Sequence, residues 1–197
     1  MPQTCHKPTS AGVVTDVDAA GEALGRVNAD EAKSDLETIF KAQYERIARL
    51  IAGVIRDRAR AEELAVDVFL KWSRHPGAHG EKAEGWLYRT AVRTGLNELR
   101  REMRRSRYES LFGSFTSGRK LPTPEDVRAA NEEKDKVRII LGLLQPRQAE
   151  LLVLRSNGLS YVELASTLGL NSASIGTLLA RAEEAFRKEY TKRYGER

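Results

Sequence analysis

Tyr161 to Ala180 reads YVELASTLGLNSASIGTLLA, and this stretch decides the fold. Ser160 precedes it and Glu163 follows three residues later, the pattern of a reciprocal cap at a helix start. Leu164 and Leu168 place an apolar stripe on that helix, and Ala165 is small enough for a second helix to cross closely. Gly169 can take the left-handed backbone that ends it. Asn171 or Ser172 can cap the next helix, whose inward side is Ile175, Leu178 and Leu179. Two short helices joined by a tight turn predict a helix-turn-helix, with its second helix suited to a DNA major groove.

Working outward, the helix-turn-helix completes a four-helix C-terminal module over residues 129–197. Asn131 to Leu144 forms one helix, with Val137, Ile140, Leu141 and Leu144 inward. Pro146 starts the next, which Gly158 ends. The final helix runs on through RAEEAFRKEYTKRY. Its solvent face begins with Asn171, Ser172, Ser174, Thr177 and Ala180, which is short, polar and nearly uncharged. Side chains of this kind hydrogen-bond bases but reach less far than Arg. Phosphate anchoring then falls to Arg155, Arg181, Arg187 and Lys188.

Upstream, residues 108–128 lose periodicity and collect Gly113, Ser114, Gly118, Pro122 and Pro124, which predicts a flexible linker. A second helical module is expected over 33–107. Leu36, Ile39, Phe40, Ile47, Ile51, Val54 and Ile55 recur at helical spacing, with a break at Asp57 to Arg60. The following helix turns Ala61, Leu64, Ala65, Val68, Phe69 and Trp72 inward. Its other side carries Glu62, Glu63 and Asp67, an ordinary solvated face or a dock for a basic partner. After the loop His75 to Gly80 comes a third helix, from about Ala83 to Arg105. Trp86, Leu87, Ala91 and Leu99 are expected inward. Tyr88, Arg89, Arg93, Asn97, Arg100 and Arg101 supply an aromatic ring, an amide and guanidinium groups along the rest of its surface. Such a surface suits single-stranded DNA, where cations follow phosphates and aromatic rings stack on bases. Residues 1–32, rich in Ala, Gly, Thr and Asp, read as a disordered tail.

Composition bounds the rest. Among 197 residues, 33 Lys and Arg face 28 Asp and Glu, a net charge of +5 that suits a polyanion partner. A single Cys excludes a disulfide framework, and no run approaches the ~20 apolar residues of a membrane helix. A cytoplasmic protein without membrane insertion is expected. His6, His75 and His79 stand near no third ligand or nucleophile at a recognisable spacing, so no metal, no cofactor and no enzyme activity are expected.

The order of these pieces resembles the extracytoplasmic-function (ECF) type of RNA polymerase sigma factor, in the sigma-70 family. The likeness covers about residues 33 to 190. Asp57, Ala61 to Leu64 and Val68-Phe69 match the family's polymerase-binding segment; Trp86-Leu87-Tyr88, Ala91, Asn97, Leu99 and Arg100 match its −10 segment. Leu144 to Arg147, Leu154-Arg155, Gly158 to Tyr161, Glu163 to Ala165 and Arg181-Ala182 match its −35-binding domain. The resemblance implies an all-α protein of two helical modules, the first being sigma region 2 and the second sigma region 4. It implies polymerase binding through Asp57, Glu62, Glu63, Asp67 and Phe69, against the beta-prime clamp helices. It also implies −10 single-strand reading by Trp86, Tyr88, Arg89, Arg93, Asn97, Arg100 and Arg101. Duplex −35 DNA would be read by Arg155, Asn171, Ser172, Ser174, Thr177 and Arg181. The partners it implies are core RNA polymerase, promoter DNA and an anti-sigma factor held between the modules. Gly176 and Leu178 depart from the pattern, standing where a basic residue and an Arg are usual; Glu183 and Arg93 stand where a basic residue and an Asn are common. Two other readings explain less: a dimeric operator-binding regulator, and an interaction module with a degenerate helix-turn-helix.

Overall fold

Asp57 opens the second helix of the chain by local chemistry. Its carboxylate accepts the Arg60 backbone N–H at 3.0 Å, directly after Arg56 has turned the chain at φ +61°. The computed structural model describes the backbone of residues 17–111 and 125–195, with side-chain surroundings within 36–108 and 131–195. The linker reading falls mostly on 112–124 and the start of the tail on 1–16, outside the described residues.

Among the described residues there are seven α-helices and no strand: α1 Val17–Ile55, α2 Arg58–Ser73, α3 Ala83–Leu111, α4 Glu125–Leu143, α5 Pro146–Ser156, α6 Tyr161–Leu168 and α7 Ser172–Tyr194. The expected all-α architecture and the four-helix C-terminal module, α4 to α7, are both present. α1 begins at Val17, inside the stretch read as a tail; DAAGEALGRVNADEAK holds enough Ala, Glu and Leu to favour helix without an apolar stripe that periodicity would reveal. α3 likewise continues past Arg105 to Leu111.

The chain divides into two compact units, Met1–Thr38 and Ile39–Arg197. Within the second, Ile47, Ile51 and Val54 of α1 join Leu64, Val68 and Trp72 of α2 and Leu87, Ala91 and Leu96 of α3 as buried apolar positions. Gly95 lets α3 lie close to Val54 and Ile51. A second set, Ile140, Leu144, Leu151, Leu154, Leu164, Leu168, Ile175 and Leu179, fills the C-terminal module. α3 packs on α2 and also on α4, α5 and α6, so it is the element shared by both modules. Small residues permit that approach. A side chain at Gly85 would sit 3.4 Å from Thr167 Oγ1, and one at Gly142 would run into Met103 Sδ.

Candidate nucleic-acid and polymerase interfaces

The acidic side of α2 is built as its spacing predicts. Glu62 accepts from Arg58 at 3.0 Å and Glu63 from Arg60 at 2.8 Å; both pairs lie within a turn on the surface, where such bridges add little stability. Asp67 is exposed. Asp57 is the helix cap described above. Phe69 is only 2% exposed and meets Phe40 edge-on at 4.9 Å, so it belongs to the core and supports the face from beneath. The exposed apolar residues there are Val66 and Leu70, the latter 47% exposed. Val66 stands where the family commonly has a Gln; Leu70 was passed over in the sequence, although it is an apolar residue standing off the inward stripe of α2.

α3 divides the seven residues chosen for single-strand binding into two sets. Trp86, Asn97 and Arg101 look outward. Trp86 is half-buried, with its ring stacked on His75 at 5.6 Å. Asn97 and Arg101 are exposed. Tyr88, Arg89, Arg93 and Arg100 instead turn toward the C-terminal module. Tyr88 corrects the expectation of a surface aromatic: it is 5% exposed, lies under the Arg46 guanidinium at 5.1 Å and donates to Gln43 Oε1 at 3.5 Å. Burial pushes its phenol up to about 12, Glu84 adding to the effect and Arg46 opposing it.

Arg93 Nε donates to Glu150 Oε1 at 2.7 Å, across 57 residues of sequence. Arg89 stands beside this pair; burial first, then the neighbouring Arg93, lowers its guanidinium below the usual range, and its buried Nε has no hydrogen-bond partner. Arg100 donates to the carbonyls of Gly142 at 3.1 Å and Leu144 at 3.2 Å, where α4 ends. The last turn of a helix leaves carbonyls unpaired and carries a partial negative charge, which a guanidinium satisfies.

The helix-turn-helix follows its sequence signals closely. Glu163 N–H donates to Ser160 Oγ at 3.3 Å while Ser160 N–H donates to Glu163 Oε2 at 2.7 Å. The hydrogen bonds from Ser160 hold the Glu163 carboxyl below the ordinary carboxylate range. Gly169 ends α6 at φ +63°, and of the two cap candidates for α7, Asn171 serves, accepting from Ala173 N–H at 3.0 Å. Ser172, Thr177, Ala180 and Arg181 are exposed and Ser174 is half-buried, so the recognition face is open to solvent. Arg155 is committed: it donates to Leu159 O at 2.9 Å and lies over the Tyr161 ring at 5.3 Å, bracing the start of the motif. Arg181 makes no ion pair among the described residues.

His79 and His75 are absorbed by tryptophans. Trp72 Nε1 donates to Ala78 O at 3.0 Å, and the His79 ring nitrogen meets Trp72 O at 3.1 Å. No group of three metal-ligating side chains occurs among the described residues. No described helix is long and apolar enough to cross a membrane.

A helix with an acidic face, a helix rich in guanidinium groups and a helix-turn-helix on one chain are the parts of a DNA-binding protein. Comparison with known proteins narrows this class. Residues 39–105 match the model of sigma-70 region 2, and residues 135–186 that of sigma-70 region 4. The ECF RNA polymerase sigma factor SigK of Mycolicibacterium vanbaalenii is 29% identical over 80% of this chain and 84% of its own length. The RNA polymerase sigma factor YlaC of Bacillus subtilis is 25% identical, over 81% of this chain and 94% of its own. Among solved structures, the sigma factor RpoE of Bartonella quintana, in complex with the anti-sigma factor NepR, aligns with 20% identity and a TM-score of 0.44, covering 80% of this chain and 97% of that one. The chain belongs to the sigma-70 family, among its ECF-type sigma factors.

Proposed function

We infer that this protein binds core RNA polymerase and directs it to promoters for transcription initiation. The observation that carries the reading is the presence of both modules in family order on one chain, matched over 39–105 and 135–186. An operator-binding regulator would leave α2 and α3 without a task.

In this reading, residues 33–107 form the polymerase-docking and −10-reading module, 108–128 the linker, and 129–197 the −35-reading module. Glu62, Glu63 and Asp67, with Val66 and Leu70 between and beside them, meet the basic surface of the polymerase clamp. Asp57 and Phe69 hold that helix in place. Trp86, Asn97 and Arg101 engage the non-template strand, with Arg89, Arg93 and Arg100 supplying phosphate contacts and Tyr88 packing behind them. Flipping a base out of the stack costs a few kcal/mol, which these contacts must offset. Asn171, Ser172, Ser174, Thr177 and Arg181 read or anchor −35 duplex DNA, and Arg155 steadies the motif. Two moderate contacts tethered to polymerase act as one bivalent reader. The protein works in the cytoplasm and makes no bonds itself; polymerase carries the chemistry. An anti-sigma factor is a further partner in this reading.

Mixing the protein with core polymerase tests the reading. A complex that co-elutes on size exclusion and starts transcription at discrete sites on genomic DNA is expected. Failure to form the complex eliminates it.

A further inference from the structure

α7 buries Ile175, Leu179 and Ala182, and the residues opposite that stripe are Ala173, Thr177 and Ala180. These three stand at i, i+4 and i+7, all exposed, and each carries a methyl group. Glu184 is next in the row, accepting from Arg187 at 3.1 Å, and its charge ends the part of the face that suits a phosphate backbone. The row lies on the helix assigned above to duplex DNA, so its chemistry governs the choice of base pair.

The polar atoms at the start of α7 have little freedom left. Asn171 Oδ1 accepts from the Ala173 N–H at 3.0 Å, so its amide meets DNA as a donor. Ser174 Oγ donates to Asn171 O at 2.7 Å, which leaves the hydroxyl as an acceptor. An A·T pair presents a donor at adenine N6 and an acceptor at thymine O4, but a G·C pair presents the same two kinds of group. These atoms therefore do not separate the pairs. Guanine has no reader of its own: its commonest partner is a bidentate Arg or Lys, and neither occurs from Asn171 to Ala180. Arg181 stands about 13 Å along the axis from Ser172, beyond the N-terminal turns that meet base edges. At Gly176 the surface has no side chain. The Tyr161 ring stands beside it, 3.7 Å from where a Cβ would lie, and the Arg155 guanidinium lies over that ring at 5.3 Å. What remains to distinguish base pairs is the methyl row, and thymine alone presents a methyl group in the major groove.

We propose that α7 selects its duplex element by apolar contact of Ala173, Thr177 and Ala180 with thymine methyl groups, so that the element is rich in A·T pairs and its guanines are not read. This proposal rests on the sigma-factor reading and specifies the DNA selected. Each methyl taken out of water is worth about fourfold in affinity, so discrimination is spread over several thymines. A reader of this strength becomes selective when it is tethered beside a second contact.

A pool of short duplexes with a randomised centre tests it, selected on the full-length chain, once alone and once with core polymerase added. The bound pool should be enriched in A·T pairs. In the best-bound duplex, deoxyuridine in place of thymine removes the 5-methyl groups and keeps the pairing; binding should weaken about tenfold or more, at ~fourfold for each methyl contacted. Replacing guanines with 7-deazaguanine should change binding by less than about twofold. Thr177→Ser keeps the hydroxyl and deletes the methyl, and in this variant the deoxyuridine penalty should shrink by about fourfold. No enrichment in either selection, enrichment of guanine, or A·T enrichment without a deoxyuridine penalty overturns the proposal. A penalty as large in Thr177→Ser as in the wild type also overturns it, and assigns the preference to groove shape. A missing complex with core polymerase overturns the sigma-factor reading, while selection on the chain alone still decides the base preference.

Discussion

α3 and α7 both face nucleic acid in the family plan, yet they are built in opposite ways. α3 is dense with guanidinium groups, several of which already hold protein oxygens: Arg93 on Glu150, and Arg100 on Gly142 and Leu144. α7 presents an open face of Ser172, Thr177 and Ala180, with Arg181 as its nearest free cation. Charge is thus concentrated on α3, where part of it already holds protein oxygens, and scarce on the open face of α7.

The sharpest way to break the comparison is to reverse the charge of the acidic side of α2. Glu62→Lys with Glu63→Lys should abolish association with core polymerase in a pull-down, while circular dichroism shows an unchanged helix content. Retained association would return the acidic side of α2 to an ordinary solvated surface.

A step smaller is the scaffold of the open reader. Leu179 is 3% exposed, and Leu179→Ala should cost ~2–5 kcal/mol of stability in urea melts, taking −35 duplex binding down with it. Tyr88 then probes the covered side. Its phenol stays protonated in the folded chain up to about 12, while an unfolded chain loses that proton near its ordinary value of 10. The unfolded state therefore holds fewer protons across this window, and stability should fall as pH rises through it. Tyr88→Phe should show a shallower fall between pH 10 and 12 when the two melts are compared. Parallel curves would place Tyr88 in a wetter site.

Two finer changes address α7 alone. A Cβ at Gly176 would meet nothing nearer than Tyr161 at 3.7 Å, so Gly176→Ala should raise thermal stability by up to ~1 kcal/mol. Arg181→Ala should reduce the salt slope of duplex binding by roughly one, the signature of one lost phosphate contact. An unchanged slope would make Arg181 a bystander and leave the open face with no phosphate anchor of its own.

Legibility from sequence tracked the distance between partners. Ser160 with Glu163, Gly169 and Asn171 were readable because each acts on backbone within three residues, where propensity and cap chemistry decide. The inward stripe of α2 was readable by period. Tyr88 was not: it lies one position beyond Leu87, and residues of α1 far upstream, Gln43 and Arg46, meet its hydroxyl and ring. Glu150 was missed altogether, since a carboxylate among Ala149, Leu151 and Val153 gives no local hint of a guanidinium 57 residues upstream. The reading of Phe69 as a polymerase contact came from the resemblance, whereas its helical period already assigned it inward. Val17 to the start of the apolar pattern was hidden for another reason: a helix with no buried stripe leaves no periodic trace.

The capping bonds that start α6 and α7 also set an order of events. Both close within three residues of sequence and so require almost no loop closure, while the Arg93–Glu150 pair must bring together positions 57 residues apart. The caps of the helix-turn-helix are therefore expected to close before the Arg93–Glu150 pair does, an order that pulse-labelled hydrogen exchange would show.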